Sequence, residues 1–296
     1  MIYVVLYGRL GNNLWQIAAA ATLAKKNSTD FRAYVTPNYY CSDPDNCYLP
    51  DYIKQFNNTI LRKVQYVDNL PQNARIIEEC CLADIVFDQA EDIILKGYFA
   101  KQFDRELIKD LFLIDQVSDN YIHHKYPIFS DKSKHICSVT VRRGDYLLYL
   151  DEYALCDNSY YQKAMDKMMS LGLINHFLVI SDDINWCKKK FINRDNVTYV
   201  DDEQPTIDLY LATLCECNII SNSSFAIWGV DLNCHTNQIV ICPKPWFGFA
   251  HRAHEYDMQS GLSADWIRIN QCVHLLFSWY VYFHSSYLKE ESQEFA

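Results

Sequence analysis

The sequence predicts an α/β protein whose strands form parallel sheets in two domains. Three observations carry that prediction. Short apolar runs alternate with helix-period segments through the second half of the chain. The first residues open in the same strand, turn, helix order. And 296 residues, half of them hydrophobic, are enough for two cores of ordinary size and too apolar for a disordered chain.

The opening stretch "IYVVLYGRLGNNLWQIAAAATLAKK" reads as a strand, a glycine turn and a helix. Leu14, Ile17, Ala18 and Ala21 share one face at helical spacing, and Asn12 or Asn13 can cap the start. Further strands are expected at "AYVT", "DIVF" and "DIILKGYF", with a helix at "DRELIKDLFLI". The polar break "SDKSKH" (130 to 135) marks the expected boundary between an amino-terminal domain, 1–133, and a second domain, 134–269.

Beyond the break, strands are expected at "ICSVTVR", "HFLVISDD", "VTYVDD", "NIISN" and "QIVICP". Helices are expected at "SYYQKAMDKMMSLG", "INWCKKKF", "TIDLYLATLCEC" and "SSFAIWGVDLN". Repeated strand-helix units imply a parallel sheet covered on both faces, with ligands at the carboxyl ends of its strands. Three segments occupy such ends: "RRGDY" (142 to 146), "SDD" (181 to 183) and "SNSSF" (221 to 225).

The arginine pair is the first clue to a ligand. Guanidinium forks match phosphate oxygens, and Gly144 permits the tight turn that follows. A net charge of −10 argues against nucleic acid as a partner and leaves any anion to local cations such as Arg142 and Arg143. The start of "SSFAIWG" offers Ser223 and Ser224 where a helix favours an anion, although serine is also an ordinary cap. "GRLGNN" could cradle a phosphate or be only a packing turn, since it lacks the third glycine of a dinucleotide fingerprint. Asp182 and Asp183 alternate faces and make a poor metal pair. Asp43-Pro44-Asp45 has a metal-site spacing but sits in a Pro- and Asn-rich loop, where a turn is expected and no metal.

The twelve cysteines show no zinc-type C-x-x-C pairs and are read as reduced core thiols, the adjacent Cys80 and Cys81 included. The first residues lack a charged leader and are too short for a membrane span, so a cytoplasmic chain is expected. On that expectation the sequons at Asn27, Asn57, Asn196 and Asn222 are chance matches. The Arg-Gly-Asp within "RRGDY" caps a strand instead of marking an adhesion site.

Taken in order, "GRLGNN", "VTVRRGDY", "FLVISDDINW", "DLYLATLCECNIISNSSFAIWG", "PKPWF" and "DWIRI" span residues 8 to 269. This set resembles the family 11 glycosyltransferases, the α-1,2-fucosyltransferases, and more distantly the α-1,6- and protein O-fucosyltransferases. The resemblance implies a GT-B fold of two facing Rossmann-like domains with parallel sheets. It implies inverting, metal-independent transfer of L-fucose from GDP-β-L-fucose, with no cofactor, to O2 of a terminal galactose. The acceptor would be a galactoside-terminated oligosaccharide or lipid-linked glycan, met in the cytoplasm or peripherally at the inner face of the membrane. The first domain would face the acceptor and the second would hold the donor.

Residue by residue, the resemblance makes Arg142 the arginine that holds the β-phosphate and serves as the catalytic electrophile. Arg143 joins the donor-binding set, although strand alternation turns it to the opposite face. Ser223, Ser224 and the backbone at Phe225 match the segment that wraps the diphosphate. Asp208 matches the carboxylate that accepts the guanine N–H groups, and Asp202 the ribose contact. Gly11 and Asn12 belong to the family's G-x-x-G-N-Q turn, where Asn12 faces the sugar and acceptor. Thr140 stands where the family usually writes His, on the Arg142 face and beside the donor, while Asn13 replaces Gln and Trp15 replaces Phe. Asp145 is either the general base or a brace for the turn. A catalytically inactive GDP-sugar or glycan-binding protein, or transfer with another linkage, is the alternative. Outside the resemblance, 270–296 places Val273, Leu276, Phe277, Tyr280 and Val281 at helical spacing. A helix packed on the body is expected there, with membrane-surface docking or dimerisation as alternatives.

Overall fold

The structure is a computed structural model that describes residues 1–36, 53, 55–254 and 262–271. The Asp43-Pro44-Asp45 turn and the aromatic segment 272–296 lie outside the described residues.

Two sheets organise the chain. The first contains β1 (Ile2–Leu6), β2 (Phe31–Val35), β3 (Tyr66–Val67), β4 (Arg75–Glu78) and β5 (Ile93–Lys96), ordered β3-β2-β1-β5-β4. The second contains β6 (Ile136–Val141), β7 (His176–Ser181), β8 (Val197–Tyr199), β9 (Cys217–Ile219), β10 (Val240–Lys244) and β11 (Ile267–Asn270), ordered β11-β10-β9-β6-β7-β8. Every pairing in both sheets is parallel. Strand order reverses between β1 and β5 in the first sheet and between β6 and β9 in the second. Such reversals open a crevice beyond the strand ends, where ligands of α/β sheets bind.

The helices are α1 (Leu10–Lys26), α2 (Arg105–Leu111), α3 (Gln116–Lys125), α4 (Asn158–Ser170), α5 (Ile184–Lys190), α6 (Pro205–Thr213) and α7 (Ser224–Asp231). Asp104, Asp115, Asp157 and Asp183 cap α2 to α5 by accepting backbone N–H groups, which satisfies donors the helix cannot. Helix α1 differs from expectation: Arg9 occupies its cap position and makes no side-chain capping bond, because Asn12 and Asn13 fall inside the helix.

All of β6 is buried, and its alternation divides two cores. Cys137, Val139 and Val141 pack with Tyr160, Tyr161 and Met165 of α4. Ile136, on the other face, joins a core that runs on through α6 and α7 into α1 and the first sheet. The alanine run Ala18 to Ala21 gives α1 the low relief that close helix packing needs. Trp228 of α7 is fully buried there; its indole N–H donates to the Gly11 carbonyl at 2.8 Å, and Phe103 and Phe112 pack on its ring.

Three expectations are corrected. "DIVF" (84 to 87) is not a strand: its first residue closes a short turn at Leu82–Asp84, Val86 is 79% exposed, and the Val86 carbonyl accepts from the Arg75 side chain. Helix α3 and the short edge strands β3 and β4 stand where no element was expected. Among the described cysteines six are buried, but Cys80, Cys81 and Cys234 are exposed, so core thiols account for only part of the set. Among the described residues no helix is long and apolar enough to cross a membrane.

Candidate active site

The segments that leave β6 and β9, neighbours at the reversal point of the second sheet, meet the turn that leaves β1. Arg142 follows β6 directly. Its guanidinium binds Asp182 through Nη1 at 2.7 Å and Asp145 through Nη2, and lies 5.4 Å from the centre of the Tyr146 ring. Burial acts to lower the Arg142 pKa, but Asp182 and then Asp145 outweigh it and hold the group above its ordinary value. The cation is therefore fixed in place and permanently charged. Tyr146 extends the support, its hydroxyl donating to the Asn222 carbonyl at 2.9 Å, one residue before Ser223.

Asp145 has its second oxygen 3.9 Å from Nε of Arg9. With one oxygen on Arg142 and the other toward Arg9, its carboxylate braces two guanidiniums from opposite sides of the crevice. The pairing with an arginine that the sequence allowed for Asp145 is thus present. Arg9 itself was not singled out from the sequence. A signal was present, since a cation at a helix start opposes the helix dipole unless an anion joins it.

Arg143 points away from this cluster. Its Nε binds Asp183 at 3.1 Å, its guanidinium stacks 4.2 Å from the Trp186 ring centre, and its backbone N–H donates to Asp182 at 2.8 Å. The strand parity that separates it from Arg142 thus places it on α5. Thr140 is buried within the sheet and donates its hydroxyl to the Ile219 carbonyl of β9 at 3.3 Å. A residue on the central strand β6 has partners on both sides, and its hydroxyl is spent on one of them.

Helix α7 begins at Ser224 with Ser223 in the cap position, neither a side-chain cap nor an acid occupying its first turn. Helix α1 likewise has no acid in its first turn. The two starts meet: a β-carbon on Gly11 would fall 2.5 Å from the Phe225 nitrogen and 2.6 Å from Ser224 Oγ. Two partial positive ends and two arginines therefore converge, an arrangement suited to a diphosphate. Gly8 has φ +81°, and a β-carbon there would meet the Asn12 amide at 2.7 Å, so only glycine fits this turn. Asn13 is buried and braces the same turn, donating to the Tyr7 carbonyl at 3.0 Å and to Gln16 at 3.2 Å.

This packing gives a first prediction. Gly11→Ala is expected to cost about 2 kcal/mol of stability and to lower turnover, because the new methyl meets backbone of α7 that cannot swing aside. Thermal denaturation measures the first effect; a variant as stable as the parent would show that the two helix starts are not in contact.

Asp208 lies in the first turn of α6, and Asp202 is exposed in the loop before it, at φ 55°. Burial, and then the neighbouring Glu203, push the Asp208 carboxyl up to about 7. Glu203 pairs with Lys125 at 2.6 Å and accepts from Tyr126 at 2.7 Å, which ties α3 to this loop. Helix α6 packs on α7, where a β-carbon on Gly229 would touch Ala212 at 2.9 Å. Arg142, Asp145, Gly11, Asn12 and the Ser223 to Phe225 turn are thus brought together, with Asp208 on the adjoining helix, while Arg143 and Thr140 are held by other groups. Among the described residues no group of His, Cys, Asp and Glu could hold a metal ion.

Comparison with known proteins agrees with this architecture. Residues 1–270 match the family model for glycosyl transferase family 11. The chain is 28% identical over 294 residues to the O-antigen biosynthesis glycosyltransferase WbnK of Escherichia coli, covering 83% of this chain and 95% of that protein. It is 32% identical over 141 residues to an alpha-1,2-colitosyltransferase of Escherichia coli, covering 45% and 47%. It is 30% identical over 109 residues to the galactoside alpha-(1,2)-fucosyltransferase 1 of Homo sapiens, covering 34% and 30%. Among solved structures, the fucosyltransferase NodZ from Bradyrhizobium superposes with a TM-score of 0.52 at 13% identity, over 77% of this chain and 92% of that one. NodZ alpha-1,6-fucosyltransferase co-crystallized with GDP gives 0.53 at 14% identity, over 77% and 91%. The shared fold is the GT-B arrangement.

Proposed function

The chain belongs to glycosyl transferase family 11 and is a glycosyltransferase. From that premise we propose that it transfers L-fucose from GDP-β-L-fucose to O2 of a terminal galactose, with inversion and without a metal. The observation that carries this reading is the meeting of two uncapped helix starts with Arg142 and Arg9 across one crevice.

In this reading the donor lies on the second domain, 134–269, with its diphosphate against the first turn of α7 and its guanine toward Asp208. The acceptor approaches from the first domain, 1–133, past Asn12. As acceptor O2 attacks C1 from the face opposite the diphosphate, the bond from C1 to the β-phosphate oxygen breaks and negative charge grows on GDP. Arg142, locked by Asp145 and Asp182, meets that charge without having to reorganise, the condition under which electrostatic stabilisation is largest. Asp145 positions Arg142, and the acceptor proton leaves with GDP or passes to water.

The test is incubation with GDP-β-L-fucose and methyl β-D-galactoside in EDTA, with NMR of the product. An α-fucosyl residue on O2 is expected; strict dependence on manganese, or linkage to another oxygen, would overturn the reading. The likeness to an alpha-1,2-colitosyltransferase favours one second reading, a GDP-sugar lacking the 3-hydroxyl of fucose. Turnover of GDP-colitose well above GDP-fucose in the same assay would select it.

A further inference from the structure

Resting on the fucosyl-transfer reading, we propose that Tyr98 and Tyr7 form an aromatic platform on which the acceptor galactoside stacks, facing Arg142 across the crevice. The two tyrosines follow β5 and β1, the strands at the reversal point of the first sheet, just as Arg142 and Ser223 follow β6 and β9 in the second. Their ring centres are 4.9 Å apart with planes tilted 46°, and Tyr98 is 40% exposed.

The turn that carries Tyr98 is rigid. Glu79, just past β4, accepts the Phe99 N–H at 2.7 Å and also the Tyr98 N–H. A β-carbon on Gly97 would lie 2.5 Å from the Glu79 carboxylate and 3.0 Å from the Glu79 Cα, so a side chain there would displace the carboxylate that holds the turn. Phe99 adopts φ 49°, a costly backbone state for a bulky residue, and is fully buried as the anchor. The outcome of these constraints is a large aromatic ring held outward at a ligand-bearing edge.

Across the crevice Tyr153 stacks on Tyr146 at 4.1 Å and 6°, and Tyr146 in turn lies beneath Arg142. Tyr7 stands two residues before Arg9, whose Nε lies 3.9 Å from Asp145, the partner of Arg142, so the platform begins beside the reacting centre and faces it from the first sheet. Glu79, with Glu78 beside it, puts acidic groups at the Tyr98 turn, where a neutral, hydroxyl-rich ligand is better suited than an anion. Galactose fits: its axial 4-hydroxyl leaves C3–H, C4–H, C5–H and C6 as one apolar face, which an aromatic ring can cover. Glucose, with an equatorial 4-hydroxyl, offers no such face.

Tyr98→Ala is expected to raise the KM for methyl β-D-galactoside about tenfold. Donor KM, GDP affinity by calorimetry and the slow hydrolysis of GDP-fucose without acceptor should stay within about twofold, and Tyr98→Phe should keep the acceptor KM near that of the parent. Saturation-transfer NMR provides a readout independent of turnover. Irradiating aromatic protons should label H3, H4 and H5 of methyl β-D-galactoside with the parent protein and not with Tyr98→Ala, and should label H4 of methyl β-D-glucoside, which points to the other side of the ring, more weakly than its H3 and H5. If Tyr98→Ala leaves both acceptor KM and saturation transfer unchanged, if it weakens donor and acceptor equally, or if the parent shows no transfer to the galactoside, the platform is wrong. Saturation of the galactoside by a protein that turns over no GDP-fucose would remove the donor reading and leave the platform standing.

Discussion

Arg142→Lys is expected to lower the transfer rate by about 10²–10³-fold while the protein remains folded. Lysine keeps the charge but loses the planar fork that lets one side chain bind Asp182, bind Asp145 and face a phosphate at once. Arg142→Ala should be at least as inactive, but it is the poorer experiment. It removes the nearer of the two cations beside Asp145, whose side chain is 8% exposed, and weakening the pairing of a buried carboxylate destabilises the fold by itself. Circular dichroism and GDP calorimetry separate the two effects: the lysine variant should melt near the parent, bind GDP more weakly and turn over far more slowly. Because Arg142 and Asp145 act as one unit, Arg142→Lys combined with Asp145→Asn should be scarcely slower than Arg142→Lys alone. A lysine variant with full turnover would remove Arg142 from the chemistry.

Arg142 is legible in the amino-acid sequence because its signals are local. A buried strand, a parity rule and a glycine turn are all written within "VTVRRGDY", and the same parity separates Arg143, which stacks on Trp186. The strand-helix alternation after residue 135 is legible for a similar reason, since each unit carries its own period. What escapes is what neighbours decide. Strand β4 is four residues at a sheet edge with Ile76 51% exposed, so its composition shows no alternation to read. Val86 looks like strand core but lies outside, because the chain there is held by its carbonyl and not by its side chain. Arg9 acquires its partner from Asp145, far along the chain, and no periodicity records such a pair. Parity gives the face of Thr140, but its hydroxyl is committed to Ile219, a bond that only the order of strands determines.

The second large effect is expected at Asp208, where binding and stability should move in opposite directions. Burial and Glu203 raise its carboxyl to about 7. An acid whose folded pKa lies above its unfolded value is favoured in the fold when protonated. Its contribution is therefore full below the ordinary carboxylate range, declines as pH rises toward 7, and is lost above it. Glu203 sits beside it but has Lys125, Tyr121 and Tyr126 as partners, so the uncompensated charge falls on Asp208. In the proposed complex guanine would reverse the balance, because its N1–H and 2-amino group donate to a carboxylate and favour the ionised form. GDP should then bind with release of a proton below pH 7, and its affinity should fall by up to about tenfold for each further unit of acidification. Asp208→Asn removes the buried charge and turns a donor toward guanine donors. At pH 8 it is expected to melt a few degrees higher than the parent without ligand. It should also bind GDP about 100-fold more weakly, with no remaining pH dependence near 7. Calorimetry in buffers of different ionisation enthalpy reads the proton directly. A variant that melts lower at pH 8, or that binds GDP as the parent does, would show that Asp208 is a structural acid and that the guanine lies elsewhere. A group that weakens the empty protein and strengthens the loaded one is placed for its ligand, and the opposite signs of the two measurements make this assignment independent of any catalytic assay.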